Sequence, residues 1–436
     1  MKENETGSKP TQRITVIDAL RGFALLGVIL MHMLDYFGYA CAHLSDDSPL
    51  DKLDTLVQSF SSIMIRGKFI GIFSFLFGLS FYIQMERASE KGIDFRGRFL
   101  WRMLLLFIVG IFGTCFTYLD ILTIYAVFGV ILVILYPLKK WMLMLIVFLI
   151  LTGVPNLFSI GFDNIKAKKP AGLAIPEMAA QPIHRVRQAT TKRMADAHTA
   201  KGFTFLQTAK DNLTEKAIDK VKFQFIYSDI GYLVLALFIA GFMVGKLHFF
   251  EEVHIRKKRN MVQLAAFMMV YLLMLLITRR IELNQPVDLT QLRAEGRDVP
   301  FIALLTSSLH NIRSIAMSGV LVTGFITLYQ ISGIRKYLNL LTPYGRMGLT
   351  NYEMQNIVGA ILFSNWGFGS FFGRQGSALL FVSALIIYAM QVIISSYWMR
   401  RFLYGPLEWF WRSGTYLKWQ LFKRKRSPGK VRLMLE

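Results

Sequence analysis

Asp18, Arg21 and His32 stand in one apolar run near the start of the chain, where ionisable residues are costly unless they face a bundle interior or water. On a helix, Asp18 and Arg21 lie one turn apart on the same face. Arg21 and His32 are separated by ten residues, which places them within about 20° of one azimuth and ~16 Å apart in height. The three therefore share a stripe that runs through most of a bilayer. A guanidinium at one end suits an anionic donor. An imidazole at the other can act as general base towards a hydroxyl or amine, because its pKa is near neutral. The blander alternative is an Asp18–Arg21 ion pair within the helix and an interfacial His32.

Other polar groups interrupt apolar runs further along. His310 and Arg313 are one turn apart, either in a pocket or on an interfacial ledge. Asp229 is a candidate orienting carboxylate or a plain helix-start acid. Arg346, Asn351, Tyr352, Glu353, Gln355 and Asn356 crowd one segment that is too polar to face lipid. Arg346, Asn351 and Gln355 fall near one helical face. Glu408 and Trp409, with the aromatics around them, read as an interfacial anchor. Glycine-rich phosphate loops, nucleophile elbows and paired His–Glu zinc motifs do not occur, so no metal is expected and any catalysis draws on several helices.

The elements that must hold these groups follow from composition. The 436 residues are 54% hydrophobic and only 18% charged, and the charge is clustered between long apolar runs. That excludes a disordered chain, a coiled coil, a disulfide scaffold and an ordinary soluble enzyme. The expected fold is all-α, a polytopic integral membrane bundle. About ten spans are expected, near 14–34, 68–85, 99–118, 119–138, 141–162, 225–247, 261–277, 301–329, 343–363 and 377–399. The net charge of +22 reflects basic residues gathered in short loops, such as Arg87, Lys91, Arg96 and Arg98, or Lys139 and Lys140, rather than nucleic-acid binding. The same rule puts both termini in the cytoplasm. The expected order is a cytoplasmic N-terminus (1–13), a five-span half (14–162), a long extracytoplasmic loop (163–224), a second five-span half (225–399) and a basic cytoplasmic tail (400–436). The loop is expected to be an acceptor-binding cap or an idle insertion.

The opening through His32 resembles membrane acyltransferases. Arg21-x10-His32 is similar to the Arg-x10-His motif of the acyltransferase-3 family, and Asp18-Ala-Leu-Arg21-Gly22 resembles the heparan-α-glucosaminide N-acetyltransferase group. More closely, the chain resembles the bacterial DUF418 (YeiB-like) membrane proteins. The matching stretches are Gly67-Lys-Phe-Ile-Gly-Ile-Phe-Ser-Phe-Leu-Phe-Gly78, Tyr344-Gly-Arg-Met-Gly-Leu-Thr-Asn-Tyr352 and Gly405-Pro-Leu-Glu-Trp-Phe-Trp-Arg412. The resemblance implies catalytic His32 with Asp18, donor-binding Arg21 and Arg346, and cavity or acceptor groups at Asn351, Tyr352, Gln355, His310, Arg313 and Asp229. It implies acyl-CoA as donor substrate and a glycan, lipid headgroup or metabolite as extracytoplasmic acceptor. Membrane lipids are the other expected partner, and a homo-oligomer is compatible with this. A transporter or flippase of an anionic metabolite or lipid would use the same cavity without acyl chemistry.

Overall fold

A computed structural model of the chain describes residues 15–37, 51–118, 120–155, 157, 204–228, 230–250, 256–284, 300–364, 366–369 and 375–424. Those residues are helical throughout, apart from turns and one isolated β-bridge between Phe402 and Lys423. In chain order the helices are α1 (Thr15–Met31), α2 (Asp51–Met64), α3 (Lys68–Ser89), α4 (Arg96–Phe116), α5 (Leu122–Leu135), α6 (Lys140–Leu151), α7 (Phe205–Leu213) and α8 (Glu215–Lys222). Then come α9 (Ile230–Lys246), α10 (Lys257–Asn284), α11 (Phe301–Tyr329), α12 (Ser332–Leu338), α13 (Leu341–Arg346), α14 (Gly348–Phe363), α15 (Ser377–Arg401) and α16 (Pro406–Tyr416).

Among the described residues, six helical stretches are long and apolar enough to cross a membrane, or seven if the bent pair 215–225 and 230–246 is one span. This is the arrangement of a multi-pass membrane protein, with fewer full-length spans than the ten expected. The difference lies in three places. The segment expected at 119–138 forms the 14-residue α5, and that at 141–162 begins with the 12-residue α6. The polar segment at 343–363 breaks at Met347 into α13 and α14. The break puts Arg346 and the Asn351–Gln355 face on different helices.

α1 is the centre of the bundle: twelve of its 17 residues are buried, including Asp18. It packs against α3, α13, α14 and α15. The contact with α13 is a backbone approach. A Cβ on Gly345 would lie 1.8 Å from the Asp18 carbonyl oxygen, and one on Gly22 would lie 2.6 Å from that of Leu341. The α3–α9 crossing works the same way in both directions. A Cβ on Gly78 would lie 1.9 Å from the Phe238 carbonyl oxygen, and one on Gly241 would lie 1.9 Å from that of Phe75. Small residues let helices approach when lipid offers no hydrophobic drive between them. The outermost helix is α10, with only 6% of its apolar window buried, and its leucines, methionines and valines form the lipid-facing surface.

The α3–α9 crossing carries a prediction. Gly78→Leu forces two backbones apart and is expected to cost more than the ~1–3 kcal/mol typical of overpacking. Gly97→Leu, where an added Cβ meets nothing within 4 Å, is the control. Thermal unfolding in detergent, followed by loss of the monodisperse elution peak, should separate the two by several degrees.

Candidate active site

His32 opens a π-helical turn, His32–Phe37, at the end of α1. Such turns are rare and concentrate at functional sites, because the extra residue re-aims the side chains around it. The imidazole is buried, 5% exposed, and sits edge-on to the Tyr352 ring with centroids 5.7 Å apart. It lines a cavity of about 360 Å³ together with Asp35, Arg66, Phe73, Tyr125 and Tyr352. Asp35 accepts a 2.7 Å hydrogen bond from Arg66 and forms an ion pair with it in the wall.

Arg21 donates to Asp18 at 2.9 Å and to the Ser80 hydroxyl on α3. The helical pair expected from the sequence is present, and Asp18 is buried beneath it. Arg21 also faces a second cavity of about 330 Å³. Three more guanidinium residues line that space: Arg102 from α4, Arg346 from α13 and Arg412 from α16. One carboxylate, Glu408, accompanies them. The Arg102 guanidinium lies 3.8 Å over the Trp411 ring, and its Nε is buried with no hydrogen-bond partner. Arg412 lies 4.9 Å from the Tyr404 ring centroid. Aromatic faces steady these cations without neutralising them.

Glu408 is committed elsewhere. It accepts from the Leu349 and Thr350 amides at 2.7 and 3.0 Å and from the Thr350 hydroxyl at 2.5 Å. It therefore satisfies orphan donors at the start of α14, where a carboxylate also complements the helix dipole. Burial pushes its carboxyl up from the ordinary range, and the Thr350 hydrogen bonds pull it back down. Glu408 is thus a half-buried cap at the start of α14. Residues 406–416 of the expected tail form α16, docked on α4 and α14.

The two cavities share a wall. Phe73, Tyr125 and Tyr352 line both. Tyr125 is fixed by the Ser74 hydroxyl at 2.7 Å and the Ile70 carbonyl at 3.1 Å. Tyr352 is fixed by the Ile121 amide, which donates to its hydroxyl at 3.1 Å. An anion-attracting chamber and a histidine chamber thus meet at three aromatic rings.

Other sequence candidates lie away from both chambers. Asn351 donates to the Tyr344 carbonyl and the Ser395 hydroxyl, and Gln355 donates to the Tyr344 hydroxyl at 2.8 Å. With Gln391 they form a buried network joining α13, α14 and α15, so their polarity is structural. His310 pairs with Glu282 at 2.7 Å, and Arg313 donates to Thr278 at 2.9 Å, which ties α11 to α10. Asp229 and most of the 163–224 loop lie outside the described residues. Within that loop, α7 packs on α4, and Lys220 of α8 reaches the Asp120 carbonyl. Sequence reasoning passed over Arg102, Arg412, Tyr125 and Asp120. Arg102 alone carried a usable signal, as a cation near the start of an apolar run.

Comparison with known families agrees with this assembly from two chain halves. A model of the heparan-alpha-glucosaminide N-acetyltransferase catalytic domain matches residues 13–168. A model described as "Protein of unknown function (DUF418)" matches residues 244–418. The chain is thus similar to the heparan-α-glucosaminide-type acyltransferases over its first part and to the DUF418 family over its second. It is 28% identical to the uncharacterized protein YxaH of Bacillus subtilis over 95% of this chain and 97% of that one. It is 28% identical to an uncharacterized 39.9 kDa protein of Bacillus acidopullulyticus over 93% and 94%. The uncharacterized YeiB of Escherichia coli shares 38% identity over 71 residues, 16% of this chain and 18% of that one. No solved structure matches. Arg21, His32, Arg102 and Tyr125 lie within the acyltransferase match, and Arg346, Tyr352, Glu408 and Arg412 within the DUF418 match.

The cap makes a direct prediction. Glu408→Ala strips two amides and a hydroxyl of their acceptor and removes the chamber's one carboxylate. It should destabilise the protein by about 1–3 kcal/mol, read as a lower thermal midpoint, with Glu408→Gln retaining part of the loss.

Proposed function

We propose that this protein is a membrane acyltransferase that takes its acyl group from acyl-CoA in the arginine chamber and passes it to an acceptor in the His32 chamber. The observation that carries this is the shared wall of Phe73, Tyr125 and Tyr352 between a four-arginine space and a histidine space. Four guanidiniums against two carboxylates, Asp18 paired with Arg21 and the capping Glu408, leave the first chamber positive and suited to phosphate, since planar guanidinium forks match phosphate oxygens. Volumes near 330 and 360 Å³ each suit part of an extended ligand.

In this mechanism the CoA phosphates rest against Arg102, Arg346 and Arg412, with Arg21 held ready by Asp18 and Ser80. The pantetheine arm crosses the aromatic wall and brings the thioester beside His32. The imidazole takes the proton of the acceptor hydroxyl or amine as that group attacks the thioester carbonyl. The C–S bond breaks, and the leaving thiolate takes the proton from the imidazolium. The new ester or amide leaves through the His32 chamber, and free CoA leaves through the arginine chamber. The basic stretch 86–98, which spans the turn from α3 to α4, lies at the end where α4 begins, and Trp101 of α4 and Trp411 of α16 bind these two helices to each other there. By the positive-inside rule that end faces the cytoplasm of a bacterial inner membrane, and the His32 end faces outward. The acceptor is then an envelope glycan, lipid headgroup or exported metabolite.

The test is a thermal shift of purified protein in nanodiscs with acetyl-CoA and longer acyl-CoAs. Wild type should be stabilised. Arg102→Gln should weaken apparent affinity by about 10- to 100-fold, the value of one charge-assisted contact. His32→Ala should bind the donor like wild type while losing transfer. Equal stabilisation of wild type and Arg102→Gln, or none of either, would contradict the assignment.

A further inference from the structure

Behind Tyr352 lies a pair of buried carboxylates that the transfer chemistry does not use. Asp120, in the turn between α4 and α5, is fully buried, and Glu353 on α14 is 1% exposed. Both rest on α4 where two glycines, one turn apart, bare its backbone. A Cβ on Gly110 would lie 3.1 Å from Asp120 Oδ2, and one on Gly113 would lie 2.7 Å from either Glu353 oxygen. Each carboxylate therefore feels the other's charge.

Their partners are unequal. Asp120 Oδ2 accepts from the Leu122 amide at 3.1 Å, and the amide of the intervening Ile121 donates to the Tyr352 hydroxyl at 3.1 Å. The buried Lys220 ammonium donates to the Asp120 carbonyl and, at 3.0 Å, to the Thr123 hydroxyl, so one positive charge sits on the Asp120 side. Both Glu353 oxygens lack a hydrogen-bond partner, against only Oδ1 of Asp120, and Asn356, one turn along from Glu353, has both amide atoms equally unfilled. An ionised carboxylate so placed would lose its hydration and gain nothing in return, while protonation removes that cost. Two adjacent carboxylates with one cation between them cannot both stay charged without it.

We propose that Asp120 and Glu353 form a proton-holding acid pair, with the proton on Glu353, the negative charge on Asp120 against Lys220, and Tyr352 joining the pair to the His32 chamber. The Tyr352 ring meets the His32 edge, and its hydroxyl is held by the amide of Ile121, the residue next to Asp120. The charge on Asp120 thus lies behind the imidazole, where it offsets the positive charge His32 gains as a base. A proton leaving Glu353 passes to Asp120 and moves the charge by one carboxylate, with no oxidant or reductant involved. The other titratable groups on the surrounding elements are engaged in contacts of their own. Tyr125 on α5 bonds Ser74, Lys216 on α8 lies over the Tyr118 ring, and Cys115 on α4 bonds the Ile111 carbonyl. Lys220 beside Asp120 repels a metal cation from the same space. The pair goes beyond the acyltransferase reading and is tested without any donor, so the two can fail separately.

The experiment is a pH titration of the full-length protein in nanodiscs by attenuated-total-reflection infrared spectroscopy. At neutral pH wild type should show a protonated carboxylic-acid carbonyl band that shifts down in D2O. Glu353→Gln should lose it, and Glu353→Asp should move its frequency if Gln impairs folding. His32→Ala should keep it. Asp120→Asn should shift its titration midpoint down by a pH unit or more, because the like charge is gone, and Lys220→Met should shift it up. A neutral-pH band that survives Glu353→Gln, no band at all, or a band that vanishes when choline chloride is replaced by sodium chloride would overturn the proposal. The sodium result would assign the site to a metal cation.

Discussion

A guanidinium inside an apolar bundle must have a counter-charge, a ring face or water, because the lipid around it supplies none of these. That constraint organises this protein. Arg21 is met by Asp18 and Ser80, Arg102 by the Trp411 face, and Arg412 by Tyr404. None of the rings cancels a charge. With Glu408 spent on the start of α14, the chamber keeps an excess of positive charge. A concave, half-apolar space with that excess attracts a polyanion, and the aromatic wall beyond it leads to the buried histidine.

The helices can bring these groups together only because several backbones nearly touch. Gly22 and Gly345 let α13 lie on α1, which carries Arg346 to the chamber that Arg21 lines. Gly78 and Gly241 lock α3 to α9, and α3 supplies Phe73 and Ser80. Gly110 and Gly113 open the face of α4 on which both buried carboxylates rest. The same helix carries Arg102 about two turns earlier. Close packing and buried charge are thus one design: the small residues remove the bulk that would hold the polar groups apart.

The Asp18–Arg21 pair was legible in the sequence because helical periodicity alone fixes it, whereas His32 falls in the π-turn after α1 and faces a different chamber from Arg21. The all-helical, multi-pass class was legible from apolar length and charge clustering. Other features depend on partners hundreds of residues away. Asn351 and Gln355 looked like cavity groups because a polar helix cannot face lipid; across helix contacts Asn351 meets Ser395 and the Gln355 amide nitrogen meets Tyr344 and Gln391, while the Gln355 Oε1 stays unfilled. Glu408 looked interfacial among its tryptophans, and only the fold brings it to Thr350. Arg412 sits in a run that reads as tail, and its place beside Arg102 comes from the docking of α16 on α4. The segment expected at 119–138 is shorter as α5 because apolar composition continues past the point where that helix stops, and the end of the segment expected at 141–162 lies outside the described residues.

The central claim is that one extended ligand occupies both chambers through the Phe73–Tyr125–Tyr352 wall. Its most direct test is a cryo-electron-microscopy structure of the protein with a non-hydrolysable acyl-CoA thioether. The account predicts phosphate density against Arg102, Arg346 and Arg412, and the thioether sulfur beyond the three rings, within reach of His32. Ligand density that stops short of the aromatic wall, or a nucleotide bound on the His32 side, would contradict it.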